Sequence, residues 1–474
     1  MGRTAFLYFS SLLFFACALL LSLNGCGSNS FTENVPPAGV IQHVVIIFQE
    51  NRTPDNLFHD PVLIAHGADI AGSGLNSSGA AIPLTAVPLG VDYDLNHAHG
   101  GFVAMYNGGK MNGANNIAVF CHATTANCAP HPQFAYVRES DVAPYFQLAE
   151  QYTFGDRMFQ TNQGPSFPAH QFIISGTSAP SVDSKLFVAE NPQGYSNWFN
   201  DSGCIAPPSE VVNLIDPSGK EPGSIYPCFE HLTLTDELNS RGVSWRYYTP
   251  SAGVIWTAPT AIQHICGPNS APPNATACIG SDWVDHVVLY TTQNPAPVLT
   301  DIANHQLPEV SWVIPSYQNS DHAGDPRNTG GPSWVASIVN AIGNSSYWSN
   351  TAIVITWDDW GGWYDHVPPP KIVNDGTSWG SGYAYGFRVP LIVVSPYAKA
   401  RHISHVTHDF GSILNLIEKT FHLPSLGYAD AYADDLSDCF DFTQTPLPFK
   451  PIAAPLSASH FLNERNPSVG PDDD

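Results

Sequence analysis

Positive charge is scarce in this chain: 17 Lys and Arg stand against 41 Asp and Glu, a formal net charge of −24. Nucleic-acid binding draws its affinity from clustered Lys and Arg that displace counterions, so the shortage, with no basic patch, excludes a nucleic-acid partner. The same acidity repels anions at long range, so a phosphate site here needs a local metal or backbone N–H groups. Charge of either sign is sparse, 12% of residues against the usual ~25%, which leaves few surface ion pairs. No internal repeat is present, and no apolar run beyond the N-terminal one is long enough to span a bilayer, which excludes a solenoid and a multi-span membrane protein.

Aromatics make up 12% of the chain, with 41 Pro and 38 Gly, the composition of a turn-rich globular enzyme. Its 474 residues suffice for one large α/β unit with insertions or for two or three smaller domains. Residues 1–25 carry Arg3 and then an apolar run from Phe6 to Leu23, the pattern of an export signal. That run ends Leu23-Asn24-Gly25-Cys26, similar to a bacterial lipobox apart from Asn24, so Cys26 is expected to carry lipid. Plain secretion and a retained single-helix anchor are the alternatives. The expected location is outside the cytoplasm, as an outer-membrane or cell-surface lipoprotein or as a secreted or periplasmic protein. The membrane is reached only through that anchor, and residues 26–40, rich in Ser, Asn and Pro, serve as its tether.

Of nine cysteines, Cys17 and Cys26 fall in the leader, which leaves an odd number in the exported part. Export permits disulfides, and closeness along the chain suggests Cys121–Cys128, Cys204–Cys228 and Cys266–Cys278, with Cys439 left over. Other pairings remain open.

Apolar runs rich in β-branched residues at His43–Phe48, Val243–Tyr248, Val310–Ile314, Ala352–Trp357 and Val389–Ser395 read as buried strands. Helical spacing occurs at Val142–Tyr152, Leu232–Ser240, Ser333–Ile342 and Asp409–Phe421. The alternation predicts an α/β fold with a mostly parallel central sheet and helices on both faces. The catalytic domain is expected over 41–442. Gly- and Pro-rich stretches at about 60–135 and 178–300 read as loop insertions over the active edge, and 443–474 as a Pro-rich tail that is wrapped or disordered.

Two strands end in oxygen ligands. The first runs into Glu50-Asn51 and another, about three hundred residues later, into Asp358-Asp359. Ligands of open α/β sheets sit beyond the carboxyl ends of the strands, so these side chains can meet in one crevice and hold a hard metal ion. Adjacent carboxylates such as Asp358-Asp359 repel each other unless a cation or hydrogen bonds compensate; the alternative is a pair of solvated turn residues. Glu50-Asn51 serves equally well as a helix or turn cap. Gly164-Pro165-Ser166 precedes a helix-like run, and Ser166 at a helix N-terminus suits a nucleophile that must also hold phosphate, although Ser is also a favourite cap. His97, His99 and His322 lie in loop contexts, and His366 follows the aromatic stretch Trp360–Tyr364; most histidines in such places are surface residues.

Taken in order, His43–Phe58, Asp94–His97, Asp141–Gly176 with Ser166-Phe167-Pro168, Gly242–Tyr248, Ser320–His322, Ile355–Pro370 and Gly386–Pro390 followed by Ser395-Pro396 resemble a bacterial phosphoesterase family. This family contains the non-haemolytic phospholipases C and secreted acid phosphatases, within the alkaline phosphatase superfamily. The resemblance covers about His43 to Leu423 and implies an alkaline-phosphatase-like fold. It implies Glu50, Asn51, Asp358 and Asp359 as metal ligands and Ser166 as a nucleophile next to the metal, with His97, His322 and His366 lining the phosphate pocket. Asp321 and Ala169-His170 depart from the family pattern, which leaves the donors around the leaving group open.

The implied activity is hydrolysis of a phosphoric ester through a phosphoserine, with one divalent ion. Oxygen ligands favour Ca²⁺, Mg²⁺ or Mn²⁺, and the nearby histidines admit Zn²⁺ or Fe. The substrate is a small phosphate ester or a phospholipid. The short distance from the catalytic region to the end of the chain leans toward an acid phosphatase. Trp360, Trp363 and Tyr364 lean toward a phospholipase C, as walls for a choline ammonium. A non-catalytic phosphate-binding lipoprotein is the reading from a different class, and a sulfatase lacks support because Ser166-Phe-Pro-Ala-His170 has no Arg in the maturation position.

Overall fold

The computed structural model describes residues 36–121, 128–193, 202–372 and 384–465; the export signal, Cys26 and most of the tether fall outside the described residues. In chain order the elements that frame the site are β1 (His43–Gln49), α1 (Glu139–Gln151), β2 (Thr153–Gly155), α2 (Ser166–Ser175), α3 (Leu234–Arg241), β3 (Trp245–Thr249) and β4 (Val287–Leu289). They continue with β5 (Val310–Val313), α4 (Gly331–Gly343), β6 (Thr351–Trp357), β7 (Leu391–Val394), β8 (His402–Ser404) and α5 (Phe410–Phe421).

These eight strands form one sheet in the order β4-β3-β5-β1-β6-β7-β2-β8. β7 pairs antiparallel with both neighbours and every other pairing is parallel, so the expected mostly parallel sheet is present with a single reversed strand. The central strands β1, β5, β6 and β7 are buried almost throughout, which is why they read as continuous Val/Ile runs rather than alternating ones.

Successive residues of a strand point to opposite faces, and the end of β1 shows what covers each. The Phe48 ring stands edge-on to His170 of α2 and Phe410 of α5, with centroids 4.8 and 5.2 Å away. Its neighbour Gln49 donates from Nε2 to the Tyr145 hydroxyl of α1 at 3.0 Å. Helices therefore lie on both faces, with α2 and α5 packed together on one and α1 and α4 on the other.

All five runs read as strands enter the sheet. β2, β4 and β8 were not legible, because three residues are too few for a period to show. The stretch 178–300 is more than an insertion, since β3 and β4 lie inside it and extend the sheet at one edge. The tail wraps the domain as far as 465: Phe461 is buried against Trp334 of α4, and Glu464 accepts a hydrogen bond from Asn319. Cys121–Cys128, Cys204–Cys228 and Cys266–Cys278 are disulfides, and Cys439 is free and buried. No helix among the described residues is long and apolar enough to cross a membrane.

Candidate active site

β1 and β6 run parallel with Gln49 opposite Trp357, so the residues that follow each strand emerge side by side. The Asp358 amide donates to the Gln49 carbonyl at 2.8 Å, the Asn51 amide to Asp358 Oδ1 at 2.9 Å and the Arg52 amide to the Asp359 carbonyl at 2.9 Å. The two acidic phrases are thus laced together by their own backbones. Asn51 sits at φ 60, a left-handed conformation that Asn tolerates and most residues do not. Gly361 explains how the second phrase comes so close. A Cβ there would stand 2.5 Å from the Asn51 carbonyl oxygen, and its own φ is 60.

Ser166 opens α2, with Pro165 as the N-cap, so the expected turn and helix N-terminus are present. Its Oγ lies 3.3 Å from Glu50 Oε2 and 3.2 Å from Asp359 Oδ2. Residues four apart share a helix face, so His170 projects beside Ser166, and its Nε2 lies 3.2 Å from Glu50 Oε1 and 3.8 Å from Asp358 Oδ2. Glu50, Asn51, Ser166, His170, Asp358 and Asp359 are all fully buried. His170 was noticed in the sequence only as a departure from a pattern; its four-residue spacing from Ser166 was the signal that could have found it.

The histidines separate into different roles. His97 Nδ1 donates to the Leu95 carbonyl at 2.8 Å, which leaves Nε2 to accept from Asn51 Nδ2 at 2.9 Å. That bond turns the Asn51 amide so that Oδ1 is its free end. His322 packs near His97, with ring centroids 6.0 Å apart, and its Nδ1 lies 2.7 Å from the Ala323 carbonyl and 3.9 Å from Asp94 Oδ2.

His366 is placed elsewhere. Its nitrogens contact Asp55 at 2.7 Å and Asp69 at 3.0 Å, beside Arg388, which chelates Asp365 and also reaches Asp55. Burial alone would lower the His366 pKa, but the Asp55 hydrogen bond and the charges of Asp55 and Asp365 outweigh it and raise it to about 9. This second cluster has its cation built in, and the His366 ring makes its hydrogen bonds to Asp55 and Asp69.

Two further side chains complete the frame. Arg52, buried under the Trp363 ring at 5.0 Å, donates to the Asp321 carbonyl at 3.0 and 2.6 Å and ties the Ser320–His322 segment to the end of β1. Asp321, at φ 75, turns its carboxyl into the core, where Tyr145 and Trp357 donate to Oδ2 at 2.6 and 3.1 Å. Burial pushes its pKa up to about 6, against the pull of Tyr145 and Arg52.

The donor set passes a direct test for a metal. Asn51 Oδ1 and Asp358 Oδ2 are buried with no hydrogen-bond partner, an arrangement that costs about 1–3 kcal/mol per group unless something else satisfies it. Carboxylates, an amide oxygen and a hydroxyl converging on one buried spot are what a hard cation takes. Glu50, His170 and Asp358 offer ligand atoms within 4.8 Å of one another.

Residues 41–424 match the sequence profile of the phosphoesterase family. The chain belongs to the phosphoesterase family. It is therefore a hydrolase of phosphoric esters. This phosphoesterase is similar to Phospholipase C B of Mycobacterium tuberculosis, 24% identical over 87% of this chain and 80% of that one. It is also similar to the hemolytic phospholipase C of Pseudomonas aeruginosa, 24% identical over 85% of this chain and 56% of that one, and to the non-hemolytic phospholipase C of Burkholderia pseudomallei, 26% identical over 85% and 59%.

Proposed function

We propose that this phosphoesterase is an exported, metal-dependent enzyme that cleaves its ester through Ser166 and a phosphoserine intermediate. The observation that carries the reading is the placement of Ser166 Oγ, 3.3 Å from Glu50 Oε2 and 3.2 Å from Asp359 Oδ2, at the N-terminus of α2. Glu50, Asn51, Asp358, Asp359 and Ser166 would hold one divalent ion, with Ca²⁺, Mg²⁺ or Mn²⁺ favoured by the oxygen ligands. When bound, the ion favours the Ser166 alkoxide and offsets charge on the phosphoryl oxygens.

Ser166 Oγ passes its proton to a carboxylate oxygen that it already faces and attacks phosphorus, so the Oγ–P bond forms as the bond to the alcohol oxygen breaks. The Ser166 amide at the start of α2 receives a phosphoryl oxygen; the Phe167 amide donates to Asn191 Oδ1 at 2.9 Å and Pro168 has no N–H. His322 protonates the departing alcohol, because His97 is occupied in orienting Asn51 and His366 belongs to the Asp55–Arg388 cluster. Water then attacks phosphorus from the same side as the alcohol left and gives its proton to His322, while the carboxylate returns its proton to Ser166 Oγ as the Oγ–P bond breaks, which frees Ser166 and releases phosphate or a phosphomonoester.

The substrate reading is a phosphomonoester hydrolysed at acid pH. Trp360, Trp363 and Tyr364, the walls the sequence offers for a choline, are buried among other side chains: Trp363 carries Arg52 at 5.0 Å, Trp360 meets Phe387 edge-on at 4.8 Å and Tyr364 stacks on Phe134 at 5.0 Å. The second reading, a phospholipase C, rests on the named relatives. Turnover of p-nitrophenyl phosphate against p-nitrophenyl phosphorylcholine tests both, with the monoester expected to be faster. A large preference for the choline ester establishes the second reading, and negligible rates on both with metal present refute the mechanism. Export is supported by the three disulfides, which persist in oxidising compartments.

A further inference from the structure

We infer that His170 is itself a ligand of the metal, which makes the site mixed nitrogen and oxygen and tunes it toward borderline ions such as Zn²⁺, Co²⁺ or Mn²⁺ over Ca²⁺. The inference rests on the metal-site reading above and adds a ligand to it.

His170 Nε2 is 3.2 Å from Glu50 Oε1 and 3.8 Å from Asp358 Oδ2, and the three atoms lie within 4.8 Å of one another. Ligand atoms that share one ion at bond lengths of about 2.0–2.2 Å stand roughly 3–3.5 Å apart, so this spacing suits joint coordination with small adjustment. The independent sign of a missing ligand is Asp358 Oδ2, which is fully buried and has no hydrogen-bond partner.

The imidazole is held for the task. Its position four residues after Ser166 on α2 directs both side chains to the same spot, and the Phe48 ring packs against it at 4.8 Å and 75°. A ring fixed by packing coordinates without losing rotational freedom on binding. His97, the other nearby imidazole, points Nε2 at Asn51 Nδ2 and lies 4.0 Å from Asp359 Oδ2, so it acts on the site through Asn51.

An imidazole in place of an oxygen ligand shifts preference from hard to borderline ions, since nitrogen suits Zn²⁺ and Co²⁺ and adds little for Ca²⁺. The ion is expected to bind Nε2 of the neutral ring.

The test uses the full protein stripped with a chelator and reloaded with a single metal. With Mn²⁺, pulsed electron paramagnetic resonance should show coupling to an imidazole nitrogen that persists in His97→Gln and disappears in His170→Gln. In competition titrations, His170→Gln should lose affinity for Co²⁺ or Zn²⁺ by at least about tenfold while holding Ca²⁺ nearly as before. Nitrogen coupling absent from the wild-type protein overturns the inference without recourse to any variant. So does a His170→Gln protein with an unchanged Co²⁺-to-Ca²⁺ ratio. If in those cases one ion still binds and Glu50→Gln abolishes it, the oxygen-ligand reading stands alone; if the wild-type protein binds no divalent ion, both readings fall together.

Discussion

The Ser166 hydroxyl lies 3.2 Å from the Asp359 carboxylate, although the two residues are 193 positions apart in the chain. The contact joins the first residue of α2 to the residues that follow β6. It puts a hydroxyl against a carboxylate that can take its proton and that, on the proposed reading, would hold the same metal ion. Removing the hydroxyl should therefore remove chemistry and leave structure. Ser166→Ala is expected to lower kcat by at least about 10³-fold, with the thermal midpoint little changed and no phosphoenzyme trapped by acid quench. Retained turnover would exclude Ser166 as nucleophile.

His322 and His366 should respond differently to the leaving group. A general acid matters when the departing alcohol is a poor leaving group, so His322→Ala should slow hydrolysis of an alkyl phosphate by about 10²–10⁴-fold while p-nitrophenyl phosphate suffers far less. His366→Ala should lower the melting temperature without that leaving-group dependence, since its partners are Asp55 and Asp69. Equal losses on both substrates in His322→Ala would remove it from the role of acid.

Gly361 is where a methyl group should act at a distance. An alanine Cβ would stand 2.5 Å from the Asn51 carbonyl oxygen and 2.7 Å from Asn51 Cβ, on a backbone at φ 60. Gly361→Ala is expected to shift Asn51, weaken metal binding and destabilise the fold by about 1–3 kcal/mol. Calorimetric metal titration together with thermal unfolding measures both, and an unperturbed variant would contradict the packing described.

Stability should peak on the acid side of neutrality. Burial alone lowers the imidazole of His408, as it does that of His366, but its Asp434 partner holds it up to about 10. A pKa raised by folding stabilises fully below the unfolded value, about 6.5 for His, and that contribution is lost as pH climbs through 9 and 10 for this pair. Burial raises the carboxyls of Asp321, Asp409 and Glu418 to about 6, 7 and 8, so they also favour the fold at low pH and weaken it as pH rises through those values. Asp69, Asp236 and Asp435 act in the opposite sense. Burial pushes them up, but Arg157, His264 and Lys419 outweigh it, so their contribution is lost as pH falls through the depressed values. The melting temperature should therefore be higher near pH 5 than near pH 9, as followed by circular dichroism; a midpoint that rises steadily to pH 9 would oppose this account.

The features readable along the chain are local: Val/Ile runs that become buried strands, apolar spacing that becomes α4 and α5, the Gly-Pro turn before Ser166, and short-range cysteine pairs. Each depends on neighbours a few positions away, where backbone geometry leaves few choices. Even the acidic strand ends were legible, because a carboxylate after a buried run is costly without a partner. Which partner each one meets was settled by the folded arrangement. It assigned His97 to Asn51, sent His366 to Asp55 and Asp69, covered Trp363 with Arg52 and brought His170 to Glu50. Those outcomes depend on where residues 46 to 311 positions apart come to rest, and a side chain's reach of a few ångströms becomes decisive only after the sheet has formed.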